Sequence, residues 1–259
     1  MIHAAALVHP SAQVDPSAEV GPFAIVEARA VVGPRCRVAA QAIVKAGSVL
    51  AADVTVDRFA VVGGDPQDLS FDRATPSGVA IGPRTILREH VTVHRATKPD
   101  GATIIGADGL LMAGSHVAHD CVLGDGVILA NGCMLGGHVH VGDKAFVSGG
   151  VAVHQFCRVG GGSLTSGNAV ITEDVPPNGL AHGRNELAGL NLVGLRRRGV
   201  PTTSVAELKR AYHAVYVPGQ ACATLAQAEL ASGSYHSPEA RAFLEFFLGG
   251  KRGRFVQPS

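Results

Sequence analysis

Through the first two-thirds of the chain, almost every sixth residue is aliphatic. From Val8 the series runs Val14, Val20, Val26, Val32, Val38, Val44, Leu50, Val56 and Val62. It resumes at Ile81, Leu87 and Val93. From Ile105 it continues through Leu111, Val117, Leu123, Leu129, Leu135, Val141, Val147, Val153 and Val159 to Ile171, and only Thr165 departs from it. Four residues after many of these positions sits a small side chain: Ala18, Ala24, Ala30, Cys36, Ala42, Ser48, then Ser115, Cys121, Cys133, Ala145, Cys157, Ser163 and Ala169. A period of six fits neither a 3.6-residue helix nor a long alternating strand. It fits short strands joined by tight turns, each strand turning one aliphatic residue inward. Three such strands make a coil of about 18 residues, and coils stack as a parallel β-helix with ladders ~4.8 Å apart. The narrow interior of such a prism explains the small second slot.

Two segments break the beat. Residues 63–80 shift its phase by one, and residues 94–104 place Pro99 where an aliphatic is due. Both read as loops extruded from the prism, and long loops on a rigid scaffold often carry function. The prism therefore spans residues 1–184, and a helical domain follows over 185–259. In that tail, "NELAGLNLVGLRRRG" ends in arginines and Gly199, a helix C-terminus. "SVAELKRAYHAVY" opens with Ser204 and Glu207 at capping-box spacing. "ATLAQAELA" follows, and "SPEARAFLEFFLGG" carries Ser237 as cap with Pro238 at the first helical position.

Charge separates the same two parts. Residues 1–183 carry 12 Lys/Arg against 16 Asp/Glu, and residues 184–259 carry 10 against 5. The basic tail is the part suited to an acidic partner. There is no long basic run or aromatic interleaving of the nucleic-acid-binding kind, so no nucleic acid is expected. The five cysteines form no CxxC pair and read as reduced buried thiols of a cytoplasmic protein. No apolar run approaches a membrane span, and the start lacks the marks of a signal peptide.

One stretch interrupts this plainness: "HVAHDC", residues 116–121. With an 18-residue coil, His119 stacks beneath Gly137 and Gln155. Asp120 stacks beneath His138 and Phe156, and His154 lies one column back. A lone outward histidine on such a prism is usually a solvated surface residue, and His90, His94, His140 and His213 are read that way. Four aligned histidines with an aspartate point instead to a site. An Asp beside a His orients the ring and stabilises the imidazolium formed when the His takes a proton. Zinc is the competitor, with three histidines and an open position, as in the hexapeptide carbonic anhydrases, but the spacing here is tighter than theirs. No metal or cofactor is expected.

The words "LLMAGSHVAHDCVLG", "LANGCMLGGHV", "AVHQFC", "DVPP" and "LRRRG" run in order over nearly the whole chain. They resemble the UDP-N-acetylglucosamine acyltransferases, the LpxA enzymes that begin lipid A synthesis. The resemblance implies a left-handed parallel β-helix with a C-terminal helical domain, assembled as a homotrimer. It implies transfer of a 3-hydroxyacyl chain from acyl carrier protein to the 3-position of UDP-N-acetylglucosamine. By similarity, His119 is the general base, Asp120 its helper and the Gly137 N–H the oxyanion donor. His116, His138, His154 and Gln155 match positions lining the sugar and acyl pocket, and Asp68 matches a sugar contact. Gly167 matches the cap of the acyl groove. Asn191, Arg197 and Arg198 match the uridine and phosphate end. Three positions depart from the family pattern: Ser70 replaces a lysine, Val193 a glutamate and Asn185 a histidine. A 3-amino sugar nucleotide as acceptor, and a non-catalytic trimeric scaffold, are the other readings the sequence leaves open.

Overall fold

A computed structural model describes residues 1–250 and 253–259. Residues 251 and 252, part of the expected helical domain, lie outside the described residues. Short parallel strands, mostly of two residues, stack into three sheets. The first face runs from Leu7–Val8 to Val170–Ile171 and the second from Gln13–Val14 to Arg158–Val159. The third begins at Glu19–Val20 and continues past Leu164–Thr165 into Gly179–His182 and Glu186–Leu190. The prism is a left-handed parallel β-helix.

The six-residue code is the core. Leu111, Val117, Leu129 and Leu135 are fully buried, and so are the small-slot residues Ala24, Ala42, Cys121 and Cys133. Like side chains stack on like across coils, as in Leu110–Leu111 on Ile128–Leu129 on Phe146–Val147. Thr165, the polar exception, is buried and its Oγ1 accepts the Ser148 N–H at 3.2 Å. Each corner turn places its second residue near φ +60°, from Phe23 to Asn178. Polar and aromatic residues there, Asp120, His138 and Phe156 among them, are therefore carried on the outer edges of the prism.

The ladder steps 18 residues per coil, as in His116 to Met134. Across the two insertions it steps further, from Val61 to Thr92 and from Thr92 to His116. Both insertions leave the first face and rejoin the second, so both emerge from the same edge, called here the first edge. They are shorter than the sequence suggests. Gly63–Gly64 and Gly78–Ile81 still belong to strands, which narrows the first loop to 65–77. His94 and Ala102–Ile105 likewise narrow the second to 95–101. Arg95 laces the loops together: it donates to Asp65 Oδ1 at 3.0 Å and to the carbonyls of Thr75 and Arg73, and lies 4.8 Å over the Phe71 ring.

Beyond the prism, two expectations change. The first half of "NELAGLNLVGLRRRG" is a strand, Glu186–Leu190, antiparallel to Gly179–His182. Its Leu187 is buried in the prism core, and tertiary packing overrides the helical pattern there. Only α1 (Leu192–Arg197) is helical. The helix α2 (Thr202–Val215) starts behind Pro201 with no side-chain cap. Glu207 does not box it, because its carboxylate accepts the N–H groups of His236 and Ser237 ahead of the last helix. Cys222–Ala231 forms α3, and Pro238–Phe246 forms α4 with Ser237 capping the Ala240 N–H as expected. Leu208, Ala211, Phe243, Leu244 and Phe247 make a second core between them. Arg158 joins it to the prism: it pairs with buried Asp174 at 2.8 Å, lies 4.0 Å over the Phe246 ring and donates to the Phe246 carbonyl.

Candidate active site

The first edge gathers most of the candidate groups. His119 and Asp120 form its corner turn, and His119 Nδ1 lies 2.8 Å from Asp120 Oδ2, both side chains mostly buried. Burial alone would raise the Asp120 carboxyl. The Thr97 hydroxyl, His119 and the Thr97 amide outweigh it, and the carboxyl is held below its usual range. An ionised carboxylate only accepts, so the shared proton sits on Nδ1, and it is the neutral form of the ring that carries its lone pair on Nε2.

One coil above, Gly137 lies directly over the His119 ring. A Cβ there would stand 2.5 Å from His119 Cε1 and 2.7 Å from Nε2. This close approach alone calls for glycine, since the backbone of Gly137 is not in the left-handed region and would otherwise accept a side chain. Among the described residues its N–H has no protein acceptor. His138 follows, its ring edge-on to His119 at 5.2 Å and stacked on Phe156 at 4.6 Å. Its Nε2 is 3.6 Å from the same Asp120 oxygen, beyond hydrogen-bond length. His154 and Gln155 are exposed on the coil above, and His154 Nδ1 is 3.1 Å from the Gln155 carbonyl. His116 sits on the first face with Nδ1 2.7 Å from Thr92 Oγ1. Burial, then the nearby His119, pushes its pKa down.

The structure adds a histidine that the period hides. His94, expected on the solvated surface, is buried, its ring edge-on to His116 at 4.6 Å and its Nδ1 without a partner. Burial is the main cause that pushes it down to about 4, so it is neutral. The insertion after it delays the coil and removes His94 from any 18-residue column. Thr92, Thr97 and Thr103, which also support the site, were hidden for the same reason.

Of the other expected residues, Asp68 shares this edge and the rest lie elsewhere. Asp68 is exposed on the 65–77 loop, also at the first edge, and its Oδ1 accepts the Ser70 N–H and hydroxyl at 2.8 and 2.7 Å. Asn191, buried, caps α1 by accepting the Gly194 N–H and donates to the Gly162 carbonyl at 3.0 Å. Arg198 donates to Asn178 Oδ1 and is pushed down by burial; Arg197 is exposed. This group gathers at the second edge, where the second face turns into the third. Gly167 is at the third edge, exposed, with only the Gly149 carbonyl near a would-be Cβ. One chain therefore spreads the expected residues over three edges.

Comparison with known proteins fits this geometry. Residues 174–255 match the family model described as Udp N-acetylglucosamine O-acyltransferase, Domain 2, and residues 102–137 match the bacterial transferase hexapeptide model. The acyl-[acyl-carrier-protein]–UDP-N-acetylglucosamine O-acyltransferase of Anaeromyxobacter sp. is 42% identical over 75% of this chain and 76% of its own length. The chain belongs to this acyltransferase family. The enzyme of the same name from Aliivibrio fischeri is 36% identical over 75% of this chain and 74% of its own. The crystal structure of Francisella novicida UDP-N-acetylglucosamine acyltransferase superposes with a TM-score of 0.93 at 31% identity, covering 100% of this chain and 94% of that one. LpxA of Bacteroides fragilis gives 0.92 at 34%, with 99% of both chains covered.

Proposed function

We propose that this chain moves a 3-hydroxyacyl group from acyl carrier protein to the 3-hydroxyl of UDP-N-acetylglucosamine, the first step of lipid A biosynthesis, with His119 as general base. The family supports the activity. The observation that carries the mechanism is the His119–Asp120 pair lying against Gly137. His119 Nε2 takes the proton of the sugar hydroxyl as its oxygen bonds the thioester carbonyl carbon. Asp120 stabilises the imidazolium through Nδ1–H. The tetrahedral oxyanion accepts the Gly137 N–H. Collapse breaks the carbon–sulfur bond, and the departing thiolate takes the proton back from Nε2. His116, His138, His154 and Gln155 line the pocket around this centre, and Asp68 reaches the sugar.

The dispersal over three edges supports a homotrimer. Gly167 at the acyl end, and Asn191, Arg197 and Arg198 at the nucleotide end, join His119 in one pocket only when a second copy lies beside the first edge. The division of the chain into a prism of residues 1–184 and a helical domain of 185–259 belongs to the same reading. The basic tail suits acidic acyl carrier protein. Buried free cysteines support a reducing cytoplasm, and among the described residues no helix is long and apolar enough to cross a membrane.

A second reading has one observation behind it: ligand atoms of His119, Asp120 and His138 lie within 4.8 Å of one another, close enough to hold a metal ion. The 2.8 Å His119–Asp120 contact favours a shared proton instead. Tetrahedral zinc with ligands ~2.0 Å away would hold those two atoms further apart. The test is transfer of 3-hydroxyacyl chains of several lengths to the 3-hydroxy and 3-amino sugar nucleotides. Wild type and His119→Ala are compared after chelation. The base reading expects chelated wild type to transfer to the hydroxyl acceptor and the mutant to lose ~10²–10⁴. Activity lost on chelation supports the metal, and a fully active mutant removes the base.

A further inference from the structure

We propose that Thr97, on the loop extruded at residues 95–101, is the positioning residue that turns the Asp120 carboxylate toward His119 rather than His138. The inference rests on His119 being the base.

Two imidazoles compete for one carboxylate oxygen. His119 Nδ1 stands 2.8 Å and His138 Nε2 3.6 Å from Asp120 Oδ2. The terminal torsion of an aspartate is a broad rotor, so nothing in the turn itself decides which ring the carboxylate faces. Thr97 decides it. Its hydroxyl donates to Oδ2 at 2.7 Å, and its amide reaches Oδ1 at 3.1 Å and Oδ2 at 3.3 Å. Together they fill lone pairs on both oxygens from the side of the second loop. The backbone of Asp120 is pinned independently, its N–H donating to the buried Thr103 Oγ1 at 2.9 Å.

Thr97 can impose this orientation because its own loop is held. Arg95, two residues before, bonds the first loop at Asp65, Thr75 and Arg73. The Asp100 N–H donates to the Pro76 carbonyl at 2.7 Å, and the Ser77 hydroxyl to the Ala96 carbonyl at 2.5 Å. Two insertions that the repeat does not need are tied to each other and end on the carboxylate of the dyad. Aligning the base is the role this leaves for the second insertion.

The test uses the full-length enzyme. Thr97→Val removes the hydroxyl but keeps the branched shape and the amide; Thr97→Ser keeps the hydroxyl. The valine variant is expected to lose about tenfold in kcat, the scale of one hydrogen bond to a charged group, with both KM values and the melting temperature unchanged. The serine variant is expected to recover activity to within about twofold. Because Thr97 acts through Asp120, adding Thr97→Val to Asp120→Asn should cost nothing more. Wild-type kcat in the valine variant overturns the proposal. So does an equal loss in both backgrounds, or a loss that serine does not rescue, since a merely structural loop would behave that way. If the valine variant does not fold, Thr97→Ala carries the same expectations. A fully active His119→Ala control would reject the base itself, a result distinct from failure at Thr97.

Discussion

The substitution Gly137→Ala separates the two things that residue is asked to do. Its backbone accepts an L side chain, since it does not lie in the left-handed region, and its N–H is kept. What alanine cannot keep is the His119 ring in place. The new Cβ would stand 2.5 Å from Cε1, 2.7 Å from Nε2 and 3.1 Å from Nδ1, whereas carbon atoms settle at about 3.5 Å or more. The ring must therefore retreat by about 1 Å or swing away, and its 2.8 Å bond to Asp120 stretches or breaks. The ring is a side chain on an outer edge, so relieving the clash leaves the hydrophobic prism intact, and stability should fall by less than about 1 kcal/mol. A misplacement of ~1 Å at the reacting group costs ~10² in rate. The assay is kcat and kcat/KM for acyl transfer beside thermal unfolding of the same preparations. A variant with near-normal melting and kcat down ~10² is expected. Full activity would mean that the His119 position seen here is not the working one. A collapse in melting temperature would mean that the ring cannot yield, and the steric reasoning would fail.

Three further outcomes are expected from the same geometry. His94 is buried and pushed down to about 4, against ~6.5 unfolded, so the unfolded chain binds more protons between these values. Stability from this group is whole above the unfolded value and is lost as pH falls toward 4, by about 3 kcal/mol. The melting temperature of wild type should fall more steeply with acidification than that of His94→Gln, and parallel curves would rule this out. Leu129→Ala empties a fully buried position between Leu111 and Val147 and should cost ~2–5 kcal/mol in denaturant titration; a cost under ~1 would show that the prism collapses around the gap. Ser237→Ala removes the cap of α4 and should cost ~1 kcal/mol, read as faster amide exchange in the first turn of that helix with transfer activity unchanged.

The prism was legible because its rule is local and repeated: one aliphatic in, one small residue in, turn. Any violation buries the wrong group, so Thr165 stands out on inspection and is found bonded to the Ser148 amide. The same rule made the column of His119, Gly137 and Gln155 readable, since coils without insertions keep an 18-residue step. It failed where the step changes. His94 and Thr97 border or occupy an insertion, and their neighbours His116 and Asp120 are more than 20 residues away in sequence, at an offset that only the path of the loop sets. The tail departs from its helical pattern for a related reason. Leu187 sits at helical spacing beside Leu190, but the last coil offers an open strand edge, and burial of Leu187 in the prism core outweighs local propensity. Inward residues are therefore specified by the repeat and outward ones are not. An insertion can carry a donor to a corner without disturbing the core, which is why the cluster around His119 and Asp120 could be read from the period and the Thr97 contact to Asp120 could not.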